Sequence, residues 1–204
     1  MVDASHPYPV RWIDRWLLRD GRAVTVRPVL PQDQYIGQAF VAQGLTAQSR
    51  YQRFQTGLRE LPATVARYLT DIDYEQHFAL VAETFDRGEH LQVAEARFVR
   101  DAGAGNRAEF ALAVADHWQG QGLGKRMLAT LAEAASAQGI VSLYGDVLRY
   151  NLPMLALVRG AGFRSATHPE DARLLRVTGS SRYGPGSTVM PALPATTLSA
   201  AADR

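Results

Sequence analysis

The 204-residue chain contains no cysteine, which excludes a disulfide framework, a thiol nucleophile and a thiolate metal site. No two of its five histidines are spaced i, i+4, so we expect no bound metal. The sequence shows neither a signal peptide nor a run of about 18 apolar residues, which argues against a membrane partner and makes the cytoplasm the default compartment. A net charge of +2 is too small to indicate a nucleic-acid partner.

The composition is that of one globular domain with extra residues at its ends. Hydrophobic residues make up 47% of the chain and charged residues 21%, as in ordinary soluble domains. We expect an N-terminal extension over residues 1–22, a folded domain over 23–178 and a flexible tail over 179–204. The tail is rich in small residues and proline and has no hydrophobic period, so it cannot bury enough surface to become ordered.

The N-terminal extension carries apolar residues at helical spacing. Trp12 and Trp16 are spaced i, i+4, as are Ile13 and Leu17, which predicts a short amphipathic helix. Docking of this arm on its own domain is the favoured interpretation, and anchoring to a membrane or a partner is the alternative.

Between residues 23 and 178 the patterns predict an α/β fold of the α+β type, with a mixed, mostly antiparallel sheet of about seven strands flanked by helices. The predicted strands cover residues 23–29, 78–85, 91–99, 107–114, 141–147, 163–168 and 173–178. The predicted helices cover residues 31–44, 47–55, 62–70 and 151–161, with a long helix after a glycine-rich loop near residue 120.

That loop, Gln119-Gly120-Gln121-Gly122-Leu123-Gly124, separates two different periodicities. Before it, Phe110, Leu112 and Val114 alternate with smaller or polar residues, as in a strand with two distinct faces. After it, apolar residues recur at helical spacing among good helix formers. Strand, glycine loop and helix in this order direct free backbone N–H groups and the positive end of a helix dipole at one place, where an anion is stabilised. A helix that simply begins at a glycine-rich turn is the alternative.

Two known phosphate-binding motifs do not fit the spelling of this loop. A P-loop ending at Gly124-Lys125 would need glycine in place of Gln119 and a hydroxyl residue in place of Arg126. A Rossmann fingerprint would need its third glycine at Lys125 or Met127.

The spacing of Gln119, Gly122 and Gly124 resembles the acyl-CoA pyrophosphate signature of the GNAT superfamily of N-acyltransferases. The preceding Trp118 and the helix that follows resemble that family as well. The resemblance implies that acetyl-CoA lies with its pantetheine arm along the strand and its pyrophosphate over residues 119–125. The segment Asn151-Leu152-Pro153-Met154, followed by Gly162-Phe163, resembles a later element of the family, in which an Asn begins a helix and a Gly-Phe pair ends it. The implied cofactor-binding residues are Leu112, Ala113, Val114, Gln119, Gly120, Gln121, Gly122, Leu123, Gly124, Lys125, Asn151 and Met154.

Within the superfamily, the chain is most similar to the acetyltransferase domain of bacterial protein lysine acetyltransferases, over roughly residues 8–163. The segments that carry this similarity are Tyr8-Pro9, Leu18-Arg19-Asp20-Gly21, Arg27-Pro28, Ser49-Arg50-Tyr51-Gln52-Arg53-Phe54 and Asp71-Ile72-Asp73-Tyr74. Many of those enzymes also carry a large acyl-CoA-synthetase-like domain, for which this chain has no room. A protein lysine as acceptor is therefore a suggestion of the subgroup alone.

The chemistry that the family resemblance implies is direct attack of a neutral amine on a thioester. An amine of pKa about 10.4 is protonated at neutral pH, so a base must accept its proton. Glu109 is the candidate base, because Ala108-Glu109-Phe110 resembles the position of the glutamate base in the lysine acetyltransferases. The alternatives are that Glu109 is a solvated carboxylate at the strand edge, or that Glu75, Glu83 or Glu95 is the base. Backbone N–H groups near Leu112 to Val114 are the candidate donors to the oxyanion.

The general acid that many family members use is missing from the sequence. Alignment on Asn151 and Gly162-Phe163 places Val158 where those enzymes have a tyrosine. Tyr144 and Tyr150 are candidate substitutes, and unassisted departure of the thiolate is the other route, since a thiol of pKa about 8.5 is a tolerable leaving group.

The sequence therefore predicts an acetyl-CoA-dependent N-acetyltransferase that acts on a primary amine, either a protein lysine or a small molecule. A non-catalytic acyl-CoA-binding module is the first alternative, and an interaction protein that uses its N-terminal arm is the second. The oligomeric state stays open, a homodimer included.

Overall fold

The computed structural model describes residues 7–182, except 87 and 104. Its centre is one eight-stranded sheet with the order β1-β2-β3-β4-β5-β6-β8-β7. The strands are β1 (Asp14–Leu17), β2 (Ala23–Pro28), β3 (His77–Asp86), β4 (Glu89–Arg100), β5 (Arg107–Val114), β6 (Ser142–Leu148), β7 (Arg164–Thr167) and β8 (Leu174–Ser180). The helices are α1 (Gln34–Ala39), α2 (Ala47–Phe54), α3 (Ala63–Thr70), α4 (Leu123–Ala137) and α5 (Leu152–Gly160).

All neighbouring strands are antiparallel except β5 and β6. A parallel pair needs a crossover connection, and α4 supplies it. The predicted α/β architecture with a mostly antiparallel sheet is thus confirmed, with one strand more than the seven expected.

The additional strand is β1, and it corrects the prediction for the N-terminal extension. The expected amphipathic helix is wrong, because Val10–Trp12 forms a single 3-10 turn and Asp14–Leu17 pairs with β2. The turn that joins β1 to β2 contains Gly21, whose φ of +85° favours glycine. Trp16 is 3% exposed and Leu17 is 71% exposed, which is the alternation of a strand. The hairpin gives this short segment backbone hydrogen bonds and a buried tryptophan, whereas an isolated helix of this length is unstable in water.

The core lies mainly between the sheet and α4. This helix buries an apolar face formed by Met127, Leu128, Leu131, Ala134 and Ala135. Phe78 and Phe98, from β3 and β4, stack with ring centroids 5.4 Å apart. The chain from Pro31 to Gly44 forms a 3-10 turn, α1 and a π-helical turn in succession, where the sequence predicts one helix.

Two strands, β1 and β8, extend into the regions predicted as an N-terminal extension and a tail. β1 lies within residues 1–22 and is part of the sheet, and β8 reaches Ser180. Ser181 is also buried and donates a hydrogen bond to Ile140 O. The rest of the predicted tail, residues 183–204, lies outside the described residues. No helix in the described ranges is long and apolar enough to cross a membrane.

Candidate active site

The candidate site is a cleft that opens where β5 and β6 diverge. The two strands are paired only from Arg107↔Ser142 to Glu109↔Tyr144. Beyond that point β5 stays paired to β4 as far as Val114, and β6 stays paired to β8 as far as Leu148. The gap between their ends forms a cleft of about 450 Å³, with walls from β5, β6, α2, α5 and the glycine loop.

The glycine loop closes one end of this cleft. Gly120 and Gly122 have φ angles of +75° and +86°, which favour glycine, and α4 begins immediately afterwards at Leu123. Within the described part of the chain, the backbone N–H groups of residues 120–125 make no hydrogen bond. Free amides in front of a 15-residue helix are the arrangement that binds phosphate. The loop therefore fits a pyrophosphate.

Several side chains near the glycine loop also line the cleft. The cleft is lined by all but two of the cofactor-binding residues that the sequence predicts, and the two are Gln121 and Leu123. The Leu123 side chain is 1% exposed and belongs to the core. The Gln119 amide donates to Val114 O at 3.1 Å, so it ties the loop to the end of β5. Lys125 and Arg19 also line the cleft, and they give this end a positive charge that suits an anion.

Asn151 and Met154 lie on the β6 side of the cleft, at the start of α5. Asn151 is the N-cap of α5, and its side-chain oxygen accepts a hydrogen bond from Met154 N at 3.2 Å. Capping by asparagine stabilises a helix by about 1 kcal/mol. Asn151 thus has a structural role, and Met154 and Leu157 supply apolar surface facing the cleft.

Glu109 lies in the wall of the cleft, at the last position of β5 that is paired with β6. Its side chain is accessible, and no described residue forms a hydrogen bond or ion pair with its carboxylate. Burial against the wall raises the pKa of Glu109 above its ordinary value, and the negative charge of Asp146 raises it further. A raised pKa makes a carboxylate a stronger base once it is ionised.

A second carboxylate, Asp146, reaches the cleft from β6, and the sequence analysis missed it. Arg176 of β8 donates from Nε and Nη2 to the two oxygens of Asp146, both at 2.8 Å. The Nε2 of His168 lies 3.3 Å from the same carboxylate. Nothing local in the sequence marks Asp146, because its proximity to Glu109 arises from the parallel pairing of β5 with β6.

Helix α2 also lines the cleft, with Ser49, Gln52 and Arg53. Arg53 donates to Glu95 Oε1 at 3.2 Å, and Arg97 donates to the same oxygen at 2.7 Å. Burial acts to raise the pKa of Glu95, but the charges of Arg97 and Arg53 outweigh it and lower the pKa to about 2. Glu95 is therefore a fixed anion that positions Arg53, whereas Glu109 is free to exchange protons.

Asp116, just before the glycine loop, connects this loop to α2. It accepts hydrogen bonds from Thr46 N at 2.9 Å and from Ser49 Oγ at 2.8 Å. Thr46 also caps α2, since its hydroxyl accepts from Ser49 N at 3.2 Å. Asp116 thereby links the start of the glycine loop to the N-terminus of α2.

None of the tyrosines named as candidate acids lines the cleft. Val158, at the usual tyrosine position, is 0% exposed. Tyr144 donates to Asp101 at 2.7 Å, and burial together with that hydrogen bond raises its pKa to about 12. Tyr150 is exposed and does not line the cleft. Among the described residues, no cluster of three or more His, Asp or Glu side chains is suited to a metal.

Sequence comparisons identify relatives of this chain. The profile of the acetyltransferase (GNAT) family matches residues 47–163. The chain is 30% identical over 161 residues to acetyltransferase PA5475 of Pseudomonas aeruginosa, a match that covers 78% of this chain and 86% of the relative. It is 30% identical over 162 residues to acetyltransferase Pat of Mycolicibacterium smegmatis, a match that covers 76% of this chain and 44% of Pat.

Solved structures show the same fold. The GNAT domain of S. lividans PAT matches with a TM-score of 0.77 at 26% identity, over 85% of this chain and 99% of that domain. A cAMP-binding acyltransferase from Mycobacterium smegmatis matches with a TM-score of 0.57 at 27% identity, over 91% of this chain and 52% of that protein. The chain spans about half the length of these mycobacterial relatives. Because the matched range of the family profile, 47–163, contains the diverging strands, Glu109, the glycine loop and Asn151, the chain belongs to the acetyltransferase (GNAT) family.

Proposed function

We propose that the protein is an acetyl-CoA-dependent N-acetyltransferase that acts on a primary amine and uses Glu109 as its base. One observation carries the proposal: a single cleft has free backbone amides at one end and an accessible carboxylate of raised pKa in its wall. The amides suit the phosphates of acetyl-CoA. The carboxylate suits the removal of a proton from the attacking amine.

The bound acetyl-CoA supplies an acyl thioester, and the chain supplies the proton acceptor and the positioning. Glu109 takes a proton from the ammonium of the acceptor, whose ordinary pKa is about 10.4. The neutral nitrogen then bonds to the carbonyl carbon, the carbon–sulfur bond breaks, and the new amide nitrogen loses its second proton to water as the thiolate departs. The thiolate leaves unassisted, because no tyrosine lines the cleft among the described residues.

A cationic acceptor is supported by the charges at the amine end of the cleft. Asp146 is paired with Arg176, but the Glu109 carboxylate lines the cleft without a partner among the described residues, and such a carboxylate attracts an ammonium group. A protein lysine is our first candidate for the acceptor, because of the similarity to bacterial protein lysine acetyltransferases. A small polyamine carries the same group and is the comparison substrate.

Binding of acetyl-CoA is tested first, by the melting temperature of the protein with and without the ligand. At a concentration a hundredfold above the dissociation constant, one-site binding adds about 2.7 kcal/mol to the free energy of unfolding. This corresponds to about 5–10 °C for a domain of this size. A cooperative melt with no shift would remove acetyl-CoA from the proposal and favour an interaction protein.

The base is tested with Glu109→Gln, which keeps the shape of the side chain and removes its basicity. We expect turnover, measured as thiol release with a lysine peptide, to fall at least tenfold, with nearly unchanged acetyl-CoA affinity. Glu133→Gln is the matched control, since Glu133 is exposed on α4 and does not line the cleft. Unchanged turnover in Glu109→Gln contradicts the assignment of the base. Acetyl-CoA binding without thiol release from any amine would identify a non-catalytic acyl-CoA-binding module.

A further inference from the structure

Arg19 lies at the tip of the hairpin between β1 and β2 and lines the cleft beside the glycine loop. Its Nε is 3.7 Å from the position that a Cβ on Gly122 would occupy. The hairpin therefore brings a guanidinium group from the N-terminal end of the chain to the loop that precedes α4. This proximity arises from tertiary structure alone, since about a hundred residues separate the two segments.

The hairpin is fastened to both flanks of the glycine loop. On the α4 side, the Arg126 guanidinium lies 4.3 Å from the centre of the Trp16 ring and donates to Leu17 O at 3.3 Å. On the β5 side, Arg22 donates to His117 O at 3.2 Å, and its guanidinium lies 3.6 Å from the centre of the Trp118 ring. Cation–π contacts of this kind are attractive. These contacts hold the hairpin backbone that carries Arg19 beside the glycine loop.

The Arg19 side chain has no hydrogen-bond or ion-pair partner among the described residues, whereas the Arg22 and Arg126 side chains do. Asp20 is the nearest carboxylate in sequence, but Arg22 donates to it from Nε at 2.7 Å. The backbone hydrogen bond of the Asp20 carboxylate with Arg22, and then the side-chain bond, lower the pKa of Asp20. The glycine loop, whose Gly122 lies beside the Arg19 Nε, carries the free amides of residues 120–125, which are donors as well. An unpaired guanidinium beside unpaired amide donors forms a positively charged site that attracts an anion.

We infer that Arg19 is a phosphate-binding residue of the acyl-CoA site. The inference rests on the proposed function and extends it, since it assigns an anion contact to the N-terminal hairpin. The ligand chemistry is a phosphate of the CoA nucleotide, either the pyrophosphate or the 3′-phosphate. A guanidinium suits both, because its planar fork matches two phosphate oxygens.

The test compares Arg19→Gln and Arg19→Lys with wild type, using the affinity for CoA measured by calorimetry at low and high salt. We expect Arg19→Gln to weaken binding about tenfold at low salt, as for a charge-assisted hydrogen bond, and the difference to shrink as salt screens it. Arg19→Lys keeps the charge and should restore part of the affinity. In turnover, KM for acetyl-CoA should rise while kcat stays unchanged.

Arg15→Gln is the matched control, because it removes the same charge from the same hairpin. Arg15 is exposed in β1 and lines a separate depression beside Thr25 and Glu83. We expect Arg15→Gln to bind CoA as wild type does. If both variants weaken binding equally, the effect is one of net charge or hairpin stability, and the inference is overturned.

A second ligand separates the two phosphate sources. If Arg19 contacts the 3′-phosphate, 3′-dephospho-CoA binds wild type and Arg19→Gln with the same affinity. If it contacts the pyrophosphate, the substitution weakens both ligands by the same factor. Equal binding of both ligands to wild type and to Arg19→Gln would overturn the inference and leave the proposed function standing. Failure of wild type to bind CoA at all would instead count against the proposed function.

Discussion

Gly145 lies where β5 and β6 begin to diverge, and a side chain at this position would collide with β5. It directly follows Tyr144, the last residue of β6 that is paired with β5. A Cβ on Gly145 would lie 2.9 Å from Phe110 O and 3.2 Å from Cε1 of the Phe110 ring. The φ angle of Gly145 lies outside the left-handed region, so Gly145→Ala adds no backbone strain. Its whole effect is steric.

The size of that effect follows from what would have to move. A carbonyl oxygen is backbone, and β5 is held on its other side by pairing to β4 from Ala108 to Val114. The Phe110 ring is packed against Phe163, with ring centroids 5.3 Å apart. Relief therefore requires β5 and β6 to separate by a few tenths of an ångström. Overpacking of this kind costs about 1–3 kcal/mol, which lowers the melting temperature of a domain of this size by roughly 2–12 °C.

Thermal unfolding followed by circular dichroism measures this loss, with Gly160→Ala as the control. Gly160 ends α5, a Cβ there would meet no atom within 4 Å, and its φ is outside the left-handed region. Alanine at Gly160 should leave the melting temperature unchanged or raise it slightly. If Gly145→Ala melts at the wild-type temperature, the close approach of β5 and β6 at Phe110 is refuted as the reason for glycine there.

Two further predictions concern carboxylates. Asp146→Asn removes a negative charge that raises the pKa of Glu109, so Glu109 ionises at lower pH and the acidic limb of the kcat/KM profile should move to lower pH; a limb that stays in place contradicts the coupling. Glu95→Gln leaves Arg53 and Arg97 without their shared anion, which should cost about 3–5 kcal/mol at pH 7 in urea unfolding. Because the pKa of Glu95 falls from 4.5 to about 2 on folding, its contribution is full above pH 4.5 and declines towards pH 2. The gap between wild type and Glu95→Gln should narrow over that range, and a pH-independent gap would argue against it.

The local part of the fold and site could be predicted from the sequence because its signals are local. The change of period at the glycine loop spans about 30 consecutive residues, and it correctly predicted β5, the loop and α4. The helix predicted at Trp12 and Trp16 was wrong because four residues satisfy two periods equally well. The pairing with β2 decides between them, and that pairing is a contact between segments.

The part of the site that the sequence did not reveal is made by tertiary topology. Asp146 approaches Glu109 through the β5–β6 pair, and Arg19 approaches Gly122 through the hairpin that Arg22 and Arg126 fasten. An arginine and an aspartate in isolation carry no local pattern. Unpaired charge beside unpaired amides is visible only after the chain has folded.

The segments shared with bacterial protein lysine acetyltransferases divide into two groups in the structure. Tyr8 donates to Pro28 O and Tyr74 donates to Val29 O, each at 2.8 Å, so these two tyrosines fasten the chain around β2. Arg27 donates to both oxygens of the buried Asp33, at 2.7 and 2.8 Å, in the same region.

These contacts maintain the scaffold, and none of these residues lines the cleft, so similarity in those segments supports the fold more than the substrate. The segment 49–54 is different, since Ser49, Gln52 and Arg53 line the cleft. Choice among amines should therefore depend on α2. Substitutions at Gln52 should change the ratio of kcat/KM values for a lysine peptide and a polyamine, whereas Tyr8→Phe should change only stability.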